Sequence, residues 1–216
     1  MAILMERNCF RTPLPEVFEC AELILQAANA HLVNNVSEAS ALLIRANSLI
    51  VRDWLDSIWG KGSPYIQYRP VQGGPPILEK SERIEIRMPT SQEKAALHRR
   101  DGFTCRFCGV PVIRKEVRVH LHALYPEALP WGRTNTSQHA AFQALWAQYD
   151  HIVPHARGGT NAPENMVITC AACNFGRMDF TLEEVGLQDP RTRTPNRTTW
   201  SGLEYVLPPG KRVVVK

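Results

Sequence analysis

The sequence predicts an α+β protein: an N-terminal helical pair, then a metal-stapled unit ordered strand, loop, strand, helix. Three observations carry this prediction. Apolar residues recur at three- and four-residue steps through the first 60 positions. A stretch rich in Gly and Pro then interrupts the pattern up to Pro89. Beyond it lie two Cys-x-x-Cys knuckles, "CRFC" and "CAAC", and the two short apolar runs "YDHIV" and "MVITC".

The elements follow in order. "TPLPEVFECAELILQAANAHLVNN" is expected to be a helix opened by Pro15, because proline is tolerated in a first turn. A second helix is expected from Ser37, as its cap, to about Trp59. Val36, Ala39, Leu43, Ala46, Ile50 and Trp54 would share one face of it. These helices fill residues 1–60, and 61–89 reads as a linker in which "ERIEIRM" alternates as a short strand would. "TSQEKAALHRRDG" carries a Ser/Thr cap and an exit glycine, Gly102. "VPVIRKEVRVHLHAL" is read as strand-like and "TSQHAAFQALWAQ" as helical. The tail from 187 to 216 is irregular, with a last strand expected near its end.

Hydrophobic content of 44% and charged content of 21% are ordinary for a soluble globular protein. No apolar run is long enough to span a membrane, and the apolar start before Glu6 is too short for a secretory signal. A cytoplasmic location is therefore expected, where six cysteines serve as metal ligands or free thiols rather than disulfides. The formal net charge is +4 and is unevenly spread. Residues 1–60 hold more acids than bases, whereas Arg191, Arg193, Arg197, Lys211, Arg212 and Lys216 face only Asp189 and Glu204 in the tail. That asymmetry suits contact with a polyanion, and equally suits a solvated surface.

Two residues between thiols let both sulfurs of a knuckle face one ion, and two knuckles complete a tetrahedron. Cys105, Cys108, Cys170 and Cys173 are thus expected to hold zinc. Four thiolates leave the ion no open position, so its role would be structural. The 61 residues between the knuckles require the chain to fold and return. Cys9 and Cys20 fall outside this scheme and are expected to be small buried residues.

Between about Leu97 and Glu184 the motifs "RDGFTCRFCG", "DHIVPHARGG", "NAPENMVITC" and "CAACN" resemble the HNH endonuclease family, whose core is the ββα-metal fold. Fourteen positions separate His151 from Asn165 and nine separate Asn165 from Asn174, which matches the family's spacing. Asn stands third in the name motif, a variant of it. The resemblance implies a nuclease domain over 90–186 that hydrolyses DNA, and implies that Asn165 holds the loop and the histidine. The chain departs from the family in a longer insertion over 109–148.

The residue chemistry agrees. His151, a side chain whose unperturbed pKa lies near neutrality, can take a proton from water. Asp150 and Asn174 offer hard oxygen ligands to Mg²⁺ or Mn²⁺. Neighbours on a strand point to opposite faces, so Asp150 and His151 would serve one site only if the strand ends there. Arg157 and Arg177 flank the site and are candidates for phosphate contact. His155 is read as an exposed loop residue, and His120 and His122 as neighbours on one strand face. Trp131, His139 and Trp146 stand in the insertion without an assigned role. One site of this type cuts one strand, so nicking of DNA is expected of a monomer and double-strand scission of two paired sites. Bacterial restriction or phage defence, with protein partners, is the expected setting. The rival is a zinc-stabilised nucleic-acid-binding module without catalysis.

Overall fold

The computed structural model describes residues 7–59 and 62–215. Helix α1 spans Pro15–Leu32 with proline in its first turn, and buries Val17, Cys20, Ala21, Ile24, Ala27 and Ala28 along one side. The single helix expected from Ser37 to Trp59 is instead two, α2 (Val36–Ala46) and α3 (Leu49–Ile58). Asn47 and Ser48 divide them. Ser48 caps α3 by accepting the Val51 N–H at 3.4 Å, and Asn47 turns its amide oxygen to the Ala140 N–H at 2.8 Å. Such side chains compete with the helix for backbone groups, so they favour ends over interiors. The cap of α2 is Asn35 rather than Ser37. The break also re-aims the apolar face. Val36 and Ile50 are exposed, whereas Ala39, Leu43, Ala46 and Trp54 are buried as expected and Val51, Leu55 and Ile58 join them.

No strand forms in 83–88. Ile84 and Ile86 are exposed, and the carbonyls of this segment go to side chains of a distant loop rather than to a ladder. Alternation alone cannot make a strand without a partner edge. Helix α4, Ser91–Asp101, has a complete capping box: Thr90 accepts the Glu93 N–H, and Glu93 accepts the Thr90 N–H. Gly102 leaves it at φ +77°, a conformation glycine adopts without steric cost.

The stretch expected as a strand after Cys108 splits differently. Pro111 and Ile113 do form isolated bridges, to Thr104 and Trp146, but Lys115–Leu124 is a helix, α5. Val117, Leu121 and Tyr125 recur every four residues on its inner face, and this period outweighs the β-branched composition. Helix α6 is short, Ala140–Ala144, and every residue in it is buried. Strands β1 (Gln148–His151) and β2 (Met166–Thr169) pair antiparallel, with Asp150 opposite Val167 and His151 opposite Met166. Helix α7 follows at once, Ala171–Arg177.

A two-stranded sheet is marginal alone; here β2 packs against α4 and β1 against α7. Helix α3 packs on α6 and α7, Trp59 stacks on Phe175 at 4.5 Å, and the buried apolar residues form one continuous core from Phe10 to Val213. The N-terminal helices therefore buttress the strand–loop–strand–helix unit. The described tail contains no strand, yet it is anchored: Arg114 of the α5 cap grips Glu204 through two bonds of 2.7 Å, and Glu204 also accepts the Val213 N–H. No described helix is long and apolar enough to cross a membrane.

Candidate metal centre and active site

The two knuckles meet. The thiols of Cys105, Cys108, Cys170 and Cys173 lie within 4.8 Å of one another, and the Cys108 and Cys170 sulfurs are 3.6 Å apart. Zinc–sulfur bonds of about 2.3 Å in a tetrahedron place sulfurs roughly 3.8 Å apart, so the cluster fits a zinc ion. Local structure builds each half. Gly109, at φ +76°, turns the first knuckle back so that its N–H reaches the Cys105 carbonyl at 2.9 Å. Cys170 starts α7, and the Arg106 N–H ties the first knuckle to the Ile168 carbonyl of β2 at 2.8 Å. Cys20 is buried and Cys9 half-buried, both outside the quartet.

His151 ends β1 and is 5% exposed. Its Nε2 lies 2.8 Å from Asn161 Oδ1, while Asn161 Nδ2 donates to the Ile86 carbonyl at 3.0 Å. The carbonyl can only accept, so the amide oxygen is the atom that faces the ring. The imidazole must then carry its hydrogen on Nε2, leaving the Nδ1 lone pair as the basic atom. Burial lowers the His151 pKa, opposed by the Asn161 bond and by Asp150. The lowering favours the neutral ring at neutral pH, and no described hydrogen bond uses Nδ1.

The loop between the strands is closed by Asn165. Its Oδ1 accepts the Val153 N–H at 2.8 Å, its Nδ2 donates to the Val153 and Thr160 carbonyls, and its own carbonyl accepts the Ile152 N–H at 2.7 Å. The Gly-Gly turn has steric reasons. Gly158 sits at φ +85°, and a Cβ on Gly159 would lie 1.7 Å from the Val153 carbonyl oxygen. The segment over 78–86 straps this loop through Leu78 N–H to Ala156 O and His155 Nε2 to Ile84 O, both 2.8 Å.

Asp150 leaves the strand toward α7, where Arg177 donates Nε to Oδ2 at 2.6 Å and Nη2 to Oδ1 at 2.5 Å. Arg177 also donates to the carbonyls of His151 and Phe180, and is fully buried. Its expected phosphate contact gives way to this structural clamp. Arg157 is likewise spent, on both oxygens of Glu184 at 2.9 and 3.0 Å and on the carbonyls of Asp179 and Pro75. Neither guanidinium is available to a substrate. Asn174 is half-buried and stands one turn before Arg177 on α7, hence on the same helix face. No described side-chain hydrogen bond uses its amide.

Asp150 and His151 thus engage different neighbours, as strand alternation requires. Asn161 and Arg177's grip on Asp150 were not legible from spacing: a polar residue in a Gly-Gly-Thr-Asn turn reads as turn chemistry, and nothing in sequence marks which ring it meets. His120 and His122 belong to a helix rather than a strand face, and His122 donates Nδ1 to the Leu129 carbonyl at 2.7 Å. Trp131 and Trp146 enclose the Arg118 guanidinium, 3.7 and 5.8 Å from their ring centres. His139 caps α6 and donates Nε2 to the Leu43 carbonyl.

No curated protein and no solved structure matches the chain. Residues 144–177, well under half of it, match the family model for the HNH endonuclease. That segment runs from the end of α6 through both strands and the closed loop to Arg177, and it includes the second knuckle of the four-cysteine cluster.

Proposed function

We propose that the protein is a metal-dependent endonuclease that hydrolyses DNA phosphodiester bonds. The observation that carries this reading is the placement of His151, a buried imidazole whose Nε2 faces Asn161 Oδ1 at 2.8 Å and whose Nδ1 no described hydrogen bond uses. In this reading Nδ1 takes the proton from the attacking water. Asn165 keeps the loop that carries Asn161 closed around the ring, and α7 presents Asn174 from a helix whose start is pinned by two zinc ligands.

Asp150 and Asn174 would hold Mg²⁺ or Mn²⁺, and their donor chemistry fits such an ion. Both supply hard oxygens. A carboxylate has about four acceptor directions, of which Arg177 uses two, and ligating carboxylates are ordinarily oriented by such partners. When bound, the ion supplies charge stabilisation at the phosphate and the leaving oxygen. The base and the ligand pair need not touch, since attacking and leaving oxygens lie on opposite sides of the phosphorus in an in-line displacement. One such site cuts one strand, so a monomer nicks.

The test is conversion of supercoiled plasmid in Mg²⁺ or Mn²⁺. Nicked product should appear, vanish with chelator, and vanish in His151→Ala with zinc content and fold unchanged. Binding without scission by the wild type would favour the non-catalytic module instead. Wild-type cleavage by His151→Ala would refute the base assignment.

A further inference from the structure

Beside the first knuckle, and sharing no lining residue with the His151 loop, lies a cleft of about 490 Å³ lined by Arg7, Asn8, Arg106, Arg193, Thr194 and Asn196 among others. No acidic residue lines it. Among the described residues, no carboxylate lies within ion-pair distance of Arg7, Arg106 or Arg193. The carboxylates that act on Arg106 from further off are already clamped: Asp101 by Arg100 at 2.7 and 2.8 Å, and Asp189 by Arg191 at 2.6 to 3.0 Å.

Hydrogen bonds hold two of these cations together. Arg106 donates Nη2 to the carbonyls of Pro190 and Arg193, and Arg193 returns Nη2 to the Arg106 carbonyl at 3.0 Å. The two guanidiniums are thereby set side by side with most of their five N–H donors unspent. The Arg7 guanidinium makes only long hydrogen bonds, 3.3 Å to the Phe10 carbonyl and 3.5 Å to that of Val185, and lies 5.4 Å from the Phe10 ring centre. The Nε atoms of all three are buried with no hydrogen-bond partner. A zinc ion in four thiolates would carry net charge −2, which three arginines exceed, and none of them donates to a sulfur.

We propose that this cleft binds a backbone phosphate of the polynucleotide, as a contact separate from the cleavage site. Arginine forks match the oxygens of a phosphodiester, and the Asn and Thr side chains at the rim supply neutral hydrogen bonds to the flanking sugar–phosphate. The kind of anion rests on the nuclease reading; the charge and the unspent donors do not.

The experiment is anisotropy of a labelled duplex of about 20 bp with the zinc-loaded full chain, without added divalent ion, between about 50 and 200 mM salt. The slope of log affinity against log salt should become shallower by about 0.9, the share of one phosphate, in the Arg7→Gln/Arg193→Gln double variant. The Lys/Lys counterpart should keep the wild-type slope, because it keeps the charge and loses only the fork. A double Gln variant with full zinc content and an unchanged slope overturns the proposal. Should that variant lose zinc, Arg7→Gln alone decides: a shallower slope at full zinc content supports the proposal and an unchanged slope overturns it. A wild type whose binding responds to these variants but which never cuts would refute the nuclease reading and leave the cleft standing.

Discussion

Asn161 presents its amide oxygen to His151 Nε2 at 2.8 Å because its amide nitrogen is already given to the Ile86 carbonyl. One loop residue therefore sets the tautomer of the proposed base and ties it to the strap. Asn161→Ala should lower kcat about 10- to 100-fold, the usual loss when the partner that orients a functional imidazole is removed, with KM little changed. Asn161→Asp should move the acid limb of the pH–rate profile upward, since a carboxylate favours the imidazolium. A wild-type kcat in Asn161→Ala across that profile would refute the positioning role.

Arg177 is fully buried against the carboxylate of Asp150. Removing one partner of a buried pair strands the other charge, so Arg177→Met should cost about 3 to 5 kcal/mol. Arg177→Lys should recover little of it, because an ammonium cannot make the bidentate contact. Urea unfolding of the zinc-loaded protein measures this. A loss below about 1 kcal/mol, as for a surface pair, would show the clamp to be dispensable.

The four thiols join the first knuckle to the start of α7, and the zinc they are proposed to hold should be structural. Metal analysis should find one zinc per chain, and Cys173→Ser should abolish it together with cooperative thermal unfolding. Retention of a wild-type melting temperature after zinc removal would count against the assignment.

His139 is buried with both ring nitrogens used: Nε2 donates to Leu43 O at 2.8 Å and Nδ1 accepts the Phe142 N–H at 3.4 Å. Burial, opposed by the bond to Leu43, holds its pKa down at about 4. An unfolded histidine titrates near 6.5, so below that pH the unfolded chain takes up a proton the folded one refuses. The histidine's contribution is thus complete above about 6.5 and is lost as pH falls toward 4, by about 2 kcal/mol at pH 5. His139→Asn should be less stable than wild type at pH 7 but lose about 2 kcal/mol less between pH 7 and 5. Parallel pH dependences of the two proteins would refute this.

The residues of the candidate site were legible in the linear chain because their spacing is local. Asp150 to Asn174 fall in one strand–loop–strand–helix run, where period, turn glycines and ligand spacing all act over a few residues. The helix break at Asn47–Ser48 and the helical character of 115–124 were not, since caps and a four-residue burial period compete there with composition. Sequence alone determined which side chains could do chemistry: a quartet of thiols, an imidazole, a carboxylate and two amides. Only the tertiary structure decided which of them are free to do it. Burial turned Arg177 and Arg157 into clamps and recruited Asn161 from a turn. It also gathered Arg7, Arg106 and Arg193 from distant parts of the chain without an acid between them. Those outcomes depend on long-range packing and on which donors are already spent, quantities that no local pattern encodes.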